Sequence, residues 1–161
     1  MIGLLRRTIM LVIGSKAPEF TLQNEAGELV SLSDFKDQTL VLYFYPKDDT
    51  PGCTTQACSY RDSSEEFAKR GVKVVGISKD DVKSHKKFQE KFSLNFTILA
   101  DPETIVVQRY GVWKEKSMYG KKYMGVARTT FVIVKGVIKA IFENVDPKND
   151  VEQVLAFIDQ Q

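Results

Sequence analysis

The chain has 161 residues, a length typical of one domain with a substantial core. A net charge of +2 is too small to predict a nucleic-acid partner, which would need a concentrated basic surface, and no stretch approaches the roughly 20 apolar residues that span a bilayer. Two cysteines are too few for a secreted disulfide scaffold, so they favour redox or nucleophilic use in a reducing compartment.

Residues 1–13 are interpreted as an N-terminal extension and residues 14–161 as a single folded domain. Two arginines precede a short apolar run, which lacks the length and the small-residue cleavage site of a secretory leader. We therefore expect a cytoplasmic protein. Met10 is an alternative initiator, in which case residues 1–9 are either a dispensable extension or a small added strand.

The first predicted elements surround an apolar strand. Residues 17–22 and 29–32 are separated by turn residues and predict a small hairpin, and residues 33–36 predict one helical turn. Residues 39–45 are β-branched or aromatic without polar alternation, which is typical of a central strand buried on both faces. Pro46 ends this strand.

Both cysteines follow that strand. After a loop over residues 47–52, the pattern predicts a helix that begins at Cys53 and runs towards Arg70, where a glycine closes it. Residues 72–78 then predict a second buried strand. A strand, helix and strand in this order favour a parallel pair.

The predicted helix start changes the chemistry of Cys53. The first amide groups of a helix lack internal partners and the helix dipole favours an anion, so a thiolate is stabilised there relative to the thiol. Cys58 lies five residues further into the helix and lacks this advantage. Cys53 is therefore the candidate nucleophile.

The second half alternates helices and strands. A helix with a stripe of Val82, His85, Phe88 and Phe92 precedes a short strand at 96–99, and Asp101 is expected to cap a helix ending near Tyr110. Residues 113–126 predict a long loop or an irregular hairpin arm. A hairpin over 128–134 and 137–143 and a final helix opened by Asp146 complete a thioredoxin-like order. We therefore expect an α/β fold with a mixed central sheet flanked by helices and an N-terminal hairpin.

The cysteine segment carries a specific motif. Pro46, Thr50 and Cys53 stand in the register Pro-x-x-x-Thr-x-x-Cys, and Cys58 follows five residues later. In this motif the chain resembles the peroxiredoxins, and within them the bacterioferritin comigratory protein or Q-type branch. The resemblance runs from about Gly14 to the C-terminus.

The resemblance implies a role for each motif residue. Cys53 would be the peroxidatic thiol and Cys58 the resolving thiol of an intramolecular disulfide, Thr50 would hold the peroxide and the thiolate, and Pro46 would shield the pocket from water. Arg128, which follows a glycine-containing segment and precedes a strand, is similar to the active-site arginine of the family. The resemblance further implies a hydroperoxide substrate, thioredoxin or another dithiol as reductant, a monomer, and no metal or other cofactor.

Three of these residues also have an alternative interpretation as purely structural residues. Cys58 is also compatible with simple packing, Thr50 with a turn residue, and Arg128 with a surface residue whose neighbours Lys121 and Lys122 are rival cations. His85 is the only histidine and shares an apolar stripe, so we interpret it as a half-buried packing residue. One histidine and two cysteines do not fill an ordinary Cys/His zinc site.

Two other functional classes compete with a peroxidase. A thiol-disulfide oxidoreductase of the same fold would normally carry Cys-x-x-Cys, whereas four residues separate Cys53 from Cys58 here. A redox sensor or holdase could use the same reactive thiol.

In an intact helix, residues five apart have Cα atoms about 8–9 Å apart, beyond the roughly 7 Å that a disulfide tolerates. A disulfide between these cysteines therefore requires the first turns of the helix to unwind.

Overall fold

The computed structural model describes residues 11–161, which form nine strands and five helices. The strands are β1 Thr21–Asn24, β2 Leu29–Ser31, β3 Thr39–Phe44, β4 Val72–Ser78, β5 Thr97–Ala100, β6 Trp113–Met118, β7 Lys121–Val126, β8 Thr129–Val134 and β9 Val137–Phe142. The helices are α1 Pro51–Asp62, α2 Ser64–Lys69, α3 Val82–Phe92, α4 Ile105–Arg109 and α5 Asp150–Asp159. A short 3₁₀ turn, Leu32–Phe35, precedes β3.

Seven strands form one mixed sheet in the order β2-β1-β5-β4-β3-β8-β9. The pairs β3–β4 and β4–β5 are parallel, and β3–β8, β8–β9, β1–β5 and β1–β2 are antiparallel. The expected parallel pair on either side of the cysteine helix is therefore confirmed, as is the mixed central sheet.

Strand β3 lies at the centre of two hydrophobic cores. Leu40, Leu42 and Phe44 face one core, which α4 covers, and Val41 and Tyr43 face the other, which α1, α2, α3 and α5 cover. Each of these five side chains is at most 1% exposed, as expected for a strand without polar alternation. Cys53 belongs to the second core.

The cysteine helix differs from the prediction at both ends. It begins at Pro51, because Thr50 is the N-cap and proline is favoured in the first turn of a helix. It also ends at Asp62, because Ser63 leaves helical geometry at φ −100° and ψ 12°, and α2 follows as a separate short helix. Cys53 is thus the third residue of α1.

Two later helices begin three or four residues after their predicted starts. Thr104 has a left-handed backbone at φ 60°, so α4 starts only at Ile105, although the Asp101 carboxylate accepts a hydrogen bond from the amide of Val107 at 2.8 Å. Similarly, the Asp146 carboxylate caps a turn through the amide of Lys148, and α5 starts after it. Asp101, which was predicted as the helix cap, is therefore not the N-cap, since Thr104 occupies that position and the Asp101 carboxylate binds an amide inside α4. Asp146, which was predicted to open the last helix, caps a turn that precedes α5.

Residues 113–126 form a regular antiparallel hairpin, β6–β7, rather than a loop or an irregular arm. Its turn is made by Tyr119 and Gly120, both at positive φ, a conformation that matches the twist of paired strands. The hairpin is a separate two-stranded sheet, and most of its side chains are exposed. Without a buried face, its sequence lacks the alternation that identifies strands.

The first residues that the structure describes contact the rest of the domain. Leu11 packs against the first core, and the amide of Gly14 donates to the carbonyl of Ile138 in β9 at 2.8 Å. The alternatives proposed for residues 1–9 and for Met10 lie outside the described residues. Over residues 11–161, no helix has the length and apolar character needed to cross a membrane.

Candidate active site

The pairing of β3 with β8 brings the cysteine helix and Arg128 together. In this antiparallel pair Phe44 lies opposite Thr129, so the end of β3 is adjacent to the start of β8. The chain leaves β3 towards Cys53, and it enters β8 directly after Arg128. Residues 75 positions apart in the sequence thereby meet at one edge of the sheet.

Cys53 occupies a position in α1 that suits an anion. It is the third helical residue, so its amide has no carbonyl partner within the helix, and the first helical bond runs from the amide of Thr54 to the carbonyl of Thr50 at 2.8 Å. The residue is 1% exposed. The free amide and the helix dipole both favour negative charge at this buried sulfur.

Arg128 supplies a fixed positive charge beside that sulfur. Its Nη1 lies 3.5 Å from Cys53 Sγ and also donates to Oε1 of Gln56 at 2.8 Å. The guanidinium passes close over Gly52, since a Cβ at that position would lie 3.0 Å from Nη2. Glycine at position 52 therefore makes room for the arginine.

A buried network beyond Arg128 was missed by the sequence analysis. Gln56, which accepts from Arg128, donates through Nε2 to Oδ2 of Asp150 at 3.0 Å. The same oxygen accepts from the hydroxyls of Tyr60 at 2.6 Å and Thr130 at 2.8 Å. Gln56, Thr130 and Asp150 are all 0% exposed. The only sequence signal was the position of Gln56 one helical turn after Cys53, on the same face.

The network also affects Tyr60. Burial raises the pKa of Tyr60 well above its ordinary value, and the charge of Asp150 and the hydrogen bond to it raise it further. The phenol therefore stays protonated and donates to the carboxylate. Through this donation α1 is anchored to the first residue of α5.

Thr50 and Pro46 lie in the loop between β3 and α1, and both are half-buried. The Thr50 hydroxyl donates to the carbonyl of Lys47 at 2.9 Å, closing a tight turn before the helix. The structure thus brings Arg128, and not this hydroxyl, within hydrogen-bonding distance of Cys53 Sγ. As an acceptor, the Thr50 oxygen still has lone-pair capacity for a ligand.

Cys58 lies in the same uninterrupted helix as Cys53, and both thiols are free. Its side chain is partly exposed, whereas Cys53 is buried. The five-residue separation along an intact helix keeps the two sulfurs from direct bonding, as the sequence analysis expected for the reduced state.

A second cation near the site comes from the β6–β7 hairpin. The Lys116 side chain lies over Gly125, where a Cβ would be 3.2 Å from its Cδ. Burial lowers the pKa of Lys116, and the charge of Arg128 lowers it further while Cys53 opposes this effect. Lys121 and Lys122, the rival cations weighed from the sequence, are exposed on β7.

His85 is fully buried rather than half-buried, so that interpretation was wrong. Its ring bonds to Asp48 and to the carbonyl of Leu99. Within residues 11–161, one group has ligand-type atoms close enough to hold a metal, namely Asp48, Asp80 and His85, with atoms within 4.8 Å of one another. These atoms are already engaged by hydrogen-bond donors and acceptors of the protein, so we interpret the group as an ion-pair network.

The sequence matches the model of the AhpC/TSA family over residues 13–141. It is 49% identical over 144 residues to the putative peroxiredoxin bcp of Coxiella burnetii, covering 89% of this chain and 95% of that protein. It is 50% identical over 123 residues to the peroxiredoxin Bcp of Bacillus subtilis, covering 76% of this chain and 78% of that protein.

Solved structures give the same result. The bacterioferritin comigratory protein of Xanthomonas campestris, described for its alkyl peroxide reduction activity, is 34% identical with a TM-score of 0.83, covering 88% of this chain and 90% of that one. This likeness confirms the predicted thioredoxin-like fold. The chain belongs to the peroxiredoxin family, in its Bcp or Q-type branch, and is a thiol-dependent peroxidase.

Proposed function

We propose that Cys53 is the peroxidatic thiol of this enzyme, that Cys58 resolves it as an intramolecular disulfide, and that thioredoxin or a similar dithiol reduces the disulfide. The observation that carries the proposal is the contact of 3.5 Å between Arg128 Nη1 and the sulfur of Cys53, at the third residue of a helix. A guanidinium remains charged at every relevant pH, so the thiolate keeps a counter-charge throughout the reaction.

In the first step the Cys53 thiolate attacks the terminal oxygen of a hydroperoxide. An S–O bond forms and the O–O bond breaks, so the sulfur is oxidised to a sulfenic acid and the peroxide is reduced to water or an alcohol after taking up a proton. Arg128 and the free amide of Cys53 would bind the peroxide oxygens. Thr50 would turn its hydroxyl from the Lys47 carbonyl towards the substrate, and Pro46 would limit access of water.

In the second step the Cys58 thiol condenses with the sulfenic acid. A disulfide forms and the sulfenic oxygen leaves as water, after which an external dithiol reduces the disulfide by exchange. Because α1 is intact from Pro51 to Asp62, its first turns have to open before the sulfurs meet. Thr54 and Thr55 favour this opening, because β-branched residues have low helix propensity.

The substrate includes alkyl hydroperoxides as well as hydrogen peroxide. The support is the similarity to the Xanthomonas campestris protein, whose alkyl peroxide reduction has been described. We further propose that the enzyme acts in the cytoplasm as a monomer.

The test is intact mass after one equivalent of peroxide, with and without alkylation of thiols. We expect wild-type protein to lose two hydrogens and both alkylatable thiols. Cys58→Ser should gain one oxygen and stop after a single turnover, and Cys53→Ser should not react. Stopped-flow consumption of hydrogen peroxide and an alkyl hydroperoxide by the three proteins gives the corresponding rates.

Two outcomes would contradict the proposal. Unchanged turnover in Cys58→Ser would show that the resolving thiol is not Cys58. Reduction of insulin disulfides without peroxide consumption would indicate a thiol-disulfide oxidoreductase instead.

A further inference from the structure

The loop between β3 and α1 is held by the buried carboxylate of Asp48. Its Oδ1 accepts from the Tyr45 hydroxyl at 2.6 Å, and its Oδ2 accepts from the Ser84 hydroxyl at 2.8 Å and lies 2.7 Å from His85 Nδ1. Asp48 is 7% exposed and His85 is 0% exposed. These contacts tie the loop to α3, which begins more than thirty residues later in the sequence.

Both ring nitrogens of His85 face hydrogen-bond acceptors. Nδ1 faces the Asp48 carboxylate, and Nε2 lies 2.8 Å from the carbonyl oxygen of Leu99. A neutral imidazole has a single N–H and would leave one of these contacts between two acceptors. Only the imidazolium donates to both, so the geometry assigns a positive charge to His85 and a negative charge to Asp48.

The surrounding charges favour that assignment. Burial opposes a charged ring, but the hydrogen bond and charge of Asp48, the bond to Leu99 and the charge of Asp80 outweigh it and raise the pKa of His85. Three other titratable groups surround the ring besides Asp48. Asp80 acts on it through its charge, Asp81 caps α3 and accepts from the amide of His85 through its carbonyl, and the Tyr45 ring centroid lies 6.3 Å from that of His85. Burial raises the pKa of Tyr45 well above 10, so this phenol stays neutral.

Asp48, the partner of His85, lies inside the turn that positions Thr50 before α1. On one side of Asp48, the Lys47 carbonyl accepts from the Thr50 hydroxyl at 2.9 Å. On the other side, Asp49 has a left-handed backbone at φ 57°, a conformation that is unfavourable for a residue other than glycine. Its carboxylate bonds to Lys91 of α3 at 2.8 Å. Contacts to α3 on both residues hold this unfavourable turn in place.

We propose that His85 and Asp48 are positioning residues for the peroxide site, because their buried imidazolium–carboxylate pair fixes the turn that places Thr50 beside Cys53. The proposal rests on the proposed function, in which Thr50 binds the peroxide. When His85 loses its proton at alkaline pH, one hydrogen bond and the charge pair are lost together. The turn then loosens, and oxidation of Cys53 by peroxide slows.

The experiment measures the second-order rate of Cys53 oxidation by hydrogen peroxide in single turnover from pH 5.5 to 9.5, without reductant. His85→Asn places a neutral donor towards Asp48 and cannot titrate, and Lys87→Gln on the exposed face of α3 is the matched control. We expect a slowing of about tenfold at pH 7 in His85→Asn, within the range that a small misplacement of reacting groups produces. The alkaline decline of wild type and Lys87→Gln should be absent from His85→Asn.

A direct measurement on the wild type needs no variant. His85 is the only histidine, so its ring ¹⁵N signals are assigned at once, and we expect both nitrogens to carry protons at pH 7. Ser84→Ala removes one donor to Asp48 without touching the ring and should give a smaller slowing of the same kind. It replaces His85→Asn if that variant does not fold.

The results separate this proposal from the proposed function. A neutral His85 at pH 7 would overturn the ion pair, and a folded His85→Asn with the wild-type rate and pH profile would overturn the positioning role while leaving the peroxidase intact. If wild-type Cys53 formed no sulfenic acid with peroxide, both the proposed function and the positioning role would be refuted.

Discussion

A buried thiol usually behaves as a small hydrophobic group, so the reactivity of Cys53 depends on what surrounds its sulfur. The sulfur has a guanidinium at 3.5 Å and lies at the third residue of a helix, where amides are free. Arg128 is in turn held by Gln56, and Gly52 leaves space for it. We therefore expect the reactivity of Cys53 to depend on the placement of Arg128.

Gly52→Ala tests that placement. The added Cβ would lie 3.0 Å from Nη2 of Arg128 and 3.4 Å from Cγ of Pro147, so the arginine has to shift. We expect the rate of Cys53 oxidation by peroxide to fall at least fivefold, because the counter-charge moves away from the sulfur. Stability should change by less than about 1 kcal/mol, since alanine has a better helix propensity than glycine.

The measurements for this variant are stopped-flow oxidation and urea unfolding. Thr55→Ala, an exposed substitution in the same helix, is the control and should keep the wild-type rate. A wild-type rate in Gly52→Ala would show that Arg128 adjusts without consequence.

At the scale of elements, the proposed disulfide requires α1 to be held in place and yet able to open. Two of its side chains, Gln56 and Tyr60, donate to the buried carboxylate of Asp150 at the start of α5. Gln56 lies between the two cysteines and Tyr60 lies after them. Opening residues 53–58 therefore breaks the Gln56 bond, while Tyr60 and Thr130 continue to satisfy Asp150. The carboxylate is not left buried without partners, which keeps the cost of opening low.

Gln56→Met should weaken the hold on the first turns of α1. Methionine fills a similar volume without hydrogen bonds, so amides of residues 53–58 should exchange faster and the sulfenic acid should form a disulfide a few-fold faster. Oxidation by excess peroxide to the sulfinic acid should decrease, because resolution competes with it. Mass spectrometry of quenched samples and amide hydrogen exchange measure these quantities.

Tyr60→Phe is the matched control, because it deletes one donor to Asp150 outside the segment that opens. It should lower the free energy of unfolding by about 1.5–3 kcal/mol, as expected for a hydrogen bond to a charged group, without accelerating disulfide formation. Equal resolution rates in wild type and Gln56→Met would contradict the role assigned to Gln56.

At the scale of the whole molecule, the sheet joins regions that are distant in sequence into one site. Strand β3 ends at the cysteine loop, β8 begins after Arg128, and α3 supplies His85 to the same loop. Two separate cores flank the sheet, and the candidate site lies on the side covered by four helices. The ion pair of His85 and Asp48 consequently contributes to global stability as well as to the site.

This contribution gives the folding free energy a defined pH dependence. The pKa of His85 is raised from its ordinary value of 6.5, so the folded protein binds this proton more tightly than the unfolded chain. The stabilisation is complete below about pH 6.5 and is lost as the pH rises through the folded-state pKa. We expect the stability difference between wild type and His85→Asn to decrease from pH 6 to pH 9.

Urea unfolding at several pH values measures that difference, and taking the difference removes the titration of the two thiols. If the stability difference between wild type and His85→Asn stays constant or increases with pH, the assignment of a charged histidine is contradicted.

Arg128 was predicted from the family resemblance. The sequence by itself determined the order along the chain of the strands in the main sheet and of the helices other than α2, the buried central strand and the cysteine near a helix start. These features are local, because apolar periodicity, a proline and the register of a short motif specify them. Two helices start later than predicted, one after Thr104 and one after the turn at Asp146. The sequence did not show this, because the residue types that cap a turn are the same as those that cap a helix.

Only the tertiary structure decided which polar groups meet. Gln56 and Asp150 are 94 positions apart, and His85 and Asp48 are 37 apart. Nothing in their local patterns distinguishes them from packing or surface residues. Their partners depend on the pairing of β3 with β8 and on how α3 and α5 pack, because a buried charge is stable only where the fold supplies its hydrogen-bond partners.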